Sequence, residues 1–224
     1  MAVFEVVEKQ GLKMIKATIN NEMIRAEAGA LHYMRGHVQM DVAAPTAGGI
    51  LKAMASGESI VRPTYKGVGE VYFGPPHFGE YTMLDLANHQ WIVDRGAYVC
   101  SDAGVDVTVW RNKALTGFLS GEGFWQTLIQ GTGRAVIKSG GPLEAIDLNG
   151  DSLWVDGNFA VARTGNIEFS LKRASKGFFA SAASGEGIVH CFTGTGRVLL
   201  SPVPNAWHNL VDAIVTSIPV SSSS

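Results

Sequence analysis

Two short stretches, Ser120–Gly123 (Ser-Gly-Glu-Gly) and Gly131–Arg134 (Gly-Thr-Gly-Arg), decide how the chain is organised. The first recurs as Ser184–Gly187, 64 residues later, and the second recurs as Gly194–Arg197. Self-similarity at a fixed period is typical of a chain built from structural repeats. The sequence therefore predicts a unit of about 60 to 64 residues that is written more than once.

A third, weaker copy lies nearer the N-terminus. Ser56–Ser59 reads Ser-Gly-Glu-Ser, and Gly67–Glu70 reads Gly-Val-Gly-Glu. Apolar residues alternate with others at matching places in Val38–Val42, Val105–Val109 and Ile167–Leu171. Period-two alternation is the pattern of a half-buried strand. We therefore expect an all-β protein of three internal repeats.

The spacing sets the expected boundaries. Repeat 1 covers about 1–77, repeat 2 about 78–141 and repeat 3 about 142–204. A unit of this size alone would bury only about 60 % of its unfolded surface, so the three units should share one body with approximate threefold symmetry. We expect one domain over 1–220, folded as a β-sandwich or a double-stranded β-helix.

Local turn signals refine this picture. Asn20-Asn21 and Asn149-Gly150 each stand between apolar runs and predict hairpin turns, because these residues tolerate positive φ. The glycine-rich Ser-Gly-Glu-Gly and Gly-Thr-Gly-Arg stretches predict tight turns. A phosphate loop is the alternative, but strands rather than helix N-termini are expected to follow them.

The end of the chain differs from the repeats. Asn205 is a good N-cap, and Pro219 stops a predicted helix over about 205–218. Its apolar residues form one stripe: Trp207, Leu210, Val211, Ile214, Val215 and Ile218. We expect the stripe to pack on the β body or a neighbouring subunit, with peripheral membrane contact as the alternative, and residues 221–224 to be a disordered tail.

Composition narrows the class of partner. The 224 residues carry a formal net charge of −2, with 17 % charged and 46 % hydrophobic residues. The low charged fraction favours burial of some outer surface in a homo-oligomer. The chain lacks the basic cluster that nucleic-acid binding requires and any apolar run long enough to span a membrane, so neither partner is expected.

The N-terminal residues have neither a signal-peptide nor a transit-peptide pattern, which leads us to expect a cytoplasmic protein. Cys100 and Cys191 fall at non-equivalent points of their repeats. We expect both to be reduced, buried thiols.

The repeated charged residues are the candidate site. They are Glu58, Glu122, Glu186, Arg134 and Arg197. One interpretation is structural, with glutamate–arginine pairs that fix register across turns or between repeats. The other is a carboxylate cluster near the pseudo-axis that binds a cation or a polar ligand. Glu70 stands where the third arginine would be, which favours the structural interpretation.

Catalytic and metal-binding patterns are missing from the sequence. The six histidines are scattered without metal-ligand spacing, and there is no Gly-x-Ser-x-Gly elbow. We therefore expect a protein without catalytic residues, cofactor or metal.

Several stretches resemble the protein family named after altered inheritance of mitochondria. They are Gly29–Met34 with Gly36, Gly117–Gly123, Leu153–Gly157 and Phe192–Val198, so the resemblance covers nearly the whole chain. It implies a bacterial member with a fold related to the tryptophan-binding RNA attenuator. The family's biochemical function is unsettled, and its mitochondrial members are tied to organelle biogenesis and inner-membrane organisation. The resemblance supplies no catalytic residues.

These observations lead us to expect a non-enzymatic scaffold or interaction protein with an unknown protein partner. A small-molecule-binding module with sites between repeats is the first alternative. An RNA-binding protein, suggested by fold analogy alone, is the second.

Overall fold

The structure is a computed structural model that describes residues 1–43, 61–74, 79–87, 89–112, 124–156, 159–173, 188–203, 210–211, 213–214 and 217. These residues confirm the predicted all-β class. Their fourteen strands are, in chain order, β1 (Val3–Lys9), β2 (Leu12–Ala26), β3 (Leu31–Asp41), β4 (Thr64–Phe73), β5 (Glu80–Asp85), β6 (Trp91–Val93), β7 (Tyr98–Asp102), β8 (Val105–Asn112), β9 (Phe124–Gly131), β10 (Arg134–Ser139), β11 (Glu144–Asp156), β12 (Ala160–Thr164), β13 (Glu168–Arg173) and β14 (Ile188–Leu200).

The strands form two seven-stranded antiparallel sheets. The first has the order β3-β4-β2-β7-β10-β5, with β1 paired to β2. The second has the order β11-β14-β12-β6-β9-β8, with β13 paired to β14. Neighbours in sequence such as β5 and β6 belong to different sheets, so the chain passes repeatedly from one sheet to the other.

Two places within these sheets, here called seams, bring together strands that are distant in sequence. At the β2/β7 seam, Ile24 pairs with Asp102 and Ala26 with Cys100. At the β6/β12 seam, Trp91 pairs with Thr164 and Val93 with Ala162. Each seam joins the end of one strand to a strand much later in the chain.

The alternating stretches lie in strands, as predicted. In β8 the alternation has its expected meaning, because Val105 and Val107 are buried while Asp106 and Thr108 are exposed. In β3 it does not, since nine of its eleven residues are exposed. The prediction of a half-buried strand is therefore wrong for β3, which is an edge strand with β4 as its one partner among the described residues.

Both predicted hairpin turns are wrong for the same reason. Strand β2 continues through Asn20-Asn21 with a register shift there, and β11 continues through Asn149-Gly150 with another. Asn21 and Gly150 do adopt positive φ, 69° and 80°. A β-bulge uses positive φ as a tight turn does. The first hairpin turn lies instead at Gln10-Gly11, between β1 and β2.

The tight-turn prediction for the Gly-Thr-Gly-Arg motif is likewise wrong for one of its two copies, and the weaker copy at Gly67–Glu70 also lies within a strand. Gly67-Val68-Gly69 lies inside β4 and Gly194-Thr195-Gly196 inside β14, whereas Gly131-Thr132-Gly133 joins β9 to β10. A Cβ on Gly67 would overlap the backbone oxygen of His37, at a φ of +135°. Close approach of neighbouring backbones therefore requires glycine at this position. The Ser-Gly-Glu-Gly stretches lie outside the described residues.

Three apolar clusters form the core. Side chains with almost no solvent exposure anchor it: Tyr65, Phe73, Ile15, Ile19, Ile24, Leu86, Ile129, Ile137, Val71, Val93 and Val105. One cluster draws on both sheets, with Leu84 from β5 beside Leu199 from β14. Cys100 and Cys191 are free and buried, as predicted.

The predicted C-terminal helix lies largely outside the described residues, so its bounds remain a prediction. Three positions of its apolar stripe are described, and Leu210, Val211 and Ile214 are each about half exposed. At these positions the stripe is not covered by the β body. The predicted tail, 221–224, also lies outside the described residues.

Candidate functional site

The predicted carboxylate cluster is not tested by the structure. Its three glutamates lie outside the described residues: Glu58, Glu122 and Glu186. Arg134 and Arg197 are described, and they lie on different sheets.

Arg134 makes its contacts with residues of the first sheet and the N-terminus. Its Nη2 donates to the backbone oxygen of Ala2, and its guanidinium lies 5.8 Å from the ring centroid of Phe4. Its backbone N–H donates to Asp102 Oδ2 at 2.8 Å. These contacts tie the N-terminal strand to the middle of the sheet.

Arg197 makes a bidentate ion pair with its cross-strand neighbour Asp147, with N–O distances of 2.6 and 2.9 Å. The arginine holds the pKa of the Asp147 carboxyl below its usual value. Glu70, at the corresponding place in β4, lies 3.6 Å from Lys16 and accepts a hydrogen bond from Tyr72. Each of these charged residues therefore has local partners on its own sheet.

A site that the sequence analysis missed lies at the β6/β12 seam. Arg163, on β12, is only 4 % exposed, and its Nη1 donates to Gln126 Oε1 at 2.9 Å. Gln126, on β9, donates in turn to Asp94 Oδ1 at 3.3 Å. Arg163 Nε has no hydrogen-bond acceptor in the described part of the chain. The result is a buried polar chain with one unsatisfied donor.

A small cavity of about 20 Å³ lies against this chain and opens toward solvent. Such a volume holds a water-sized group. Asp94, Gln126 and Arg163 form its polar wall. The apolar wall includes Phe169, whose ring centroid lies 5.3 Å from the Arg163 guanidinium and 5.1 Å from the His190 ring.

Burial dominates the electrostatics of the site. It raises the pKa of Asp94 to about 7, against the opposing effects of the Gln126 hydrogen bond and the Arg163 charge. It lowers the pKa of Arg163 to about 10. Near neutral pH the arginine is charged while the carboxyl is partly protonated, so the site carries net positive charge.

The sequence does contain a signal for these residues. Arg163 directly follows the apolar run that begins at Phe159, and Asp94 directly follows the buried strand Trp91–Val93. A charge beside buried strand positions requires partners, because an isolated buried charge is costly. The partners come from distant strands, so the sequence does not reveal that they meet.

The outer side of β3 forms a second feature, here called the β3 edge surface. Its large exposed side chains are Tyr33, Met34 and Met40, at 48 %, 42 % and 48 % exposure. Tyr33 stacks on Tyr72 of β4 with centroids 4.1 Å apart. The surface combines exposed apolar side chains with a strand edge that has no partner among the described residues.

The described residues contain no group of three or more His, Cys, Asp and Glu side chains placed to hold a metal ion. No helix among them has the length and hydropathy of a membrane span.

Comparison with known proteins places the chain. A solved structure, the crystal structure of protein SPYM3_0169 from Streptococcus pyogenes, matches 97 % of this chain and 100 % of its own with a TM-score of 0.74 at 20 % identity. That likeness concerns the fold. An uncharacterized protein of Streptococcus pyogenes serotype M6 is 26 % identical over 156 residues, which are 68 % of this chain and 62 % of the relative. The match thus spans less than two thirds of that relative's length.

The model of one protein family, described as mitochondrial biogenesis AIM24, matches residues 4–203. This range contains both sheets, the β6/β12 seam and the β3 edge surface. The chain belongs to the AIM24 family.

Proposed function

We propose that this chain is a non-enzymatic interaction protein that assembles with a second copy of itself through the β3 edge surface. The observation that carries the proposal is an eleven-residue strand paired on one side within the described residues and exposed at nine positions. An unpaired strand edge is a template for pairing with another chain. Antiparallel pairing of two identical edges gives the closed twofold dimer that is commonest among homo-oligomers.

The charges of β3 favour one register. When Val38 lies opposite Val38 of the second copy, Arg35 lies opposite Asp41 and Met34 opposite Val42. Opposite charges across strands stabilise a pair by roughly 0.2–1 kcal/mol, whereas like charges destabilise it. Centring the pair on Gly36 would instead place Arg35 beside His37, so we propose the Val38 register.

Within the described residues, β1, β5, β8, β11 and β13 also have a single partner strand. Of these, β11 is longer than β3, but it suits self-pairing less well. It carries acidic residues along its length: Glu144, Asp147, Asp151 and Asp156. Charged residues on an edge oppose pairing with another copy. We therefore assign the interface to β3.

We also propose that the body consists of three copies of one unit, with the pseudo-threefold symmetry expected from the sequence. Three backbone hydrogen bonds support this, since each joins matching positions of the predicted repeats. They run from Gly74 to Ala30, from Lys138 to Ala97 and from Ser201 to Phe159, at 2.9, 2.7 and 2.7 Å. A cytoplasmic location is likewise a proposal, and the free state of both cysteines is what a reducing compartment favours.

Light scattering after size-exclusion chromatography tests the dimer. We expect the wild-type protein to elute as a dimer. Met40→Lys should shift it to the monomer, because each copy would then place a charged lysine at the interface. Met83→Lys is the matched control, since Met83 is 39 % exposed on β5, away from β3. A monomeric wild-type protein, or equal loss of dimer in both variants, would contradict the proposal.

A further inference from the structure

We propose that strand β11 binds an extended basic segment of a partner protein, which adds to the second sheet as a further strand. The surface that it uses, here called the β11 edge surface, consists of the backbone edge of β11 with Glu144, Asp147, Asp151 and Trp154. It lies on the other sheet from β3. The proposal therefore goes beyond self-assembly, and its test does not depend on dimer formation.

The backbone of β11 supplies the first part of the argument. With 13 residues, β11 is the longest of the described strands that have a single partner strand, and that partner is β14. Along such an edge, backbone N–H and C=O groups point away from the sheet without a strand to pair with. An extended peptide that adds to the edge satisfies these groups, which is the recognition mode called β-strand addition.

The charge of β11 determines which strand can be added. Glu144–Asp156 contains four acidic residues and no lysine or arginine. Glu144 and Asp151 are exposed, and neither forms an ion pair within the described part of the chain. Opposite charges on neighbouring strands stabilise their pairing, whereas like charges oppose it. The charges that disfavour a second copy of β11 therefore favour a basic strand.

Contacts within the chain show that this surface holds cations. Asp147 forms its bidentate pair with Arg197 of β14, and the Nζ of Lys172, from β13, lies 5.0 Å from the ring centroid of Trp154. Both acceptors keep accessible surface, since the Asp147 side chain is 66 % exposed and Trp154 is 50 % exposed. A carboxylate accepts more than two hydrogen bonds, and an indole ring attracts ammonium and guanidinium groups. Each can therefore contact a cation of an added strand as well.

The opposite face of β11 is apolar. Leu148 and Val155 belong to the third core cluster, and Ile146 and Leu153 pack against it. Successive side chains of a strand point to opposite faces of the sheet. An added strand would therefore place one set of side chains beside this cluster and the alternate set beside the acidic outer face. The partner segment that fits is one in which apolar residues alternate with lysine or arginine.

Fluorescence anisotropy tests the proposal with a short fluorescein-labelled peptide in which lysine and valine alternate. We expect saturable binding to the wild-type protein at low ionic strength, which weakens as salt screens the charges. A peptide with glutamate in place of lysine should not bind. A peptide with proline in place of alternate valines keeps the charge but loses backbone donors, and it should bind at least about tenfold more weakly.

Two variants locate the peptide on β11. Asp151→Lys replaces an attraction by a repulsion and Trp154→Ala removes the exposed ring, and each should weaken binding about fivefold. Asp85→Lys is the matched control, because Asp85 is an exposed acid on the edge strand β5 of the other sheet. It should bind the peptide as the wild type does. Met40→Lys should also bind normally, which separates this surface from the one proposed for the dimer.

Three results would overturn the proposal: no saturable binding of the lysine–valine peptide, equal affinity for the proline-containing peptide, or equal weakening in Asp151→Lys and Asp85→Lys. Unchanged affinity in both Asp151→Lys and Trp154→Ala would overturn it too. If these variants do not fold, amide hydrogen exchange of the wild-type protein decides the matter. The peptide should slow exchange along β11 and leave β3 unchanged, and unaltered exchange along β11 would contradict strand addition.

Discussion

The two seams share one backbone hydrogen bond and differ in the partner of their acidic side chain. At the β2/β7 seam, Glu27 N–H donates to Val99 O at 2.8 Å, and at the β6/β12 seam, Asp94 N–H donates to Val161 O at 2.9 Å. Each acidic residue thus follows the end of a strand and is held by the strand across the seam.

Beyond the backbone the seams diverge. Glu27 faces a cation directly, since its Oε2 lies 3.9 Å from Arg62 Nε, and the Arg62 guanidinium lies 5.6 Å from the Tyr98 ring centroid. Asp94 instead faces Gln126, which separates it from Arg163. The first seam is filled by an ion pair and an aromatic ring, whereas the second keeps a cavity. Arg62 Nε and Arg163 Nε both lack a hydrogen-bond acceptor among the described residues.

The difference shows that an equivalent backbone hydrogen bond does not determine the pKa of a buried carboxyl group. Without a direct cation, desolvation outweighs the attraction of Arg163 at Asp94 and raises the pKa of this carboxyl to about 7. The protonation state of Asp94 therefore depends on pH near neutrality.

The largest expected effect concerns the ring that fills the first seam. Tyr98 is 2 % exposed, and its hydroxyl lies 2.9 Å from Ser101 Oγ and 3.3 Å from Arg25 O. Tyr98→Ala should lower the free energy of unfolding by about 3–5 kcal/mol, since it leaves a large cavity. Urea denaturation measures this, with Tyr98→Phe, expected near 1 kcal/mol, as the control. A loss below about 1 kcal/mol in Tyr98→Ala would mean that the ring does not hold the seam together.

The next effect concerns Asp94 and pH. Its raised pKa means that the folded protein binds the proton more tightly than the unfolded chain, whose carboxyl has its ordinary pKa of 3.8. The stability contributed by this residue is therefore fully present below about pH 4 and lost as pH rises to about 7, at up to about 1.4 kcal/mol per pH unit.

Asp94→Asn should abolish this slope, because the amide does not ionise. We expect the variant to be more stable than the wild type at pH 8 and nearly equal to it at about pH 3.5, in urea denaturation at each pH. A variant less stable than the wild type at pH 8 would show that Arg163 attracts the carboxylate more strongly than burial penalises it.

A smaller effect of opposite sign is expected at the first seam. Glu27→Gln removes the charge that faces Arg62, and it should destabilise the protein by less than about 1 kcal/mol, because the pair is long and partly exposed. Thermal unfolding at pH 8 measures the sign. Stabilisation by Glu27→Gln, as expected for Asp94→Asn, would mean that the two seams do not differ in the way described.

The smallest effect serves as a reference outside both seams. Arg197→Gln breaks the exposed ion pair with Asp147 and should change the melting temperature by less than about 2 °C. A larger change would show that exposed pairs on these strands matter as much as the buried network. Differential scanning calorimetry is sensitive enough to decide this.

The sequence predicts the class of the fold better than its details. Alternation identifies strands such as β8 because one face of the strand is buried, but the same alternation in β3 does not show that the strand lies at an edge. Asn149-Gly150 reports positive φ correctly, yet a bulge and a turn make the same demand on the backbone. Pairing with strands that are distant in sequence decides between a bulge and a turn, and a local sequence pattern does not reveal that pairing.

The site was missed for a related reason. Asp94, Gln126 and Arg163 come from three segments that are far apart in sequence, so no local pattern shows that they meet. The repeated residues Arg134 and Arg197 belong to the predicted site instead, and in the structure both make local contacts. A repeated motif identifies residues that the copies have in common. This site depends on side chains that differ between the two seams.

Cysteine cross-linking at Val38 tests the proposed assembly most directly. In the proposed register Val38 lies opposite itself across the twofold axis, so Val38→Cys should form a disulfide-linked dimer of twice the 23.8 kDa chain mass under mild oxidation. Cys100 and Cys191 are fully buried and should not contribute. We predict rapid formation of this dimer in Val38→Cys and slow formation in Met83→Cys, and equal rates in the two variants would contradict assembly through β3.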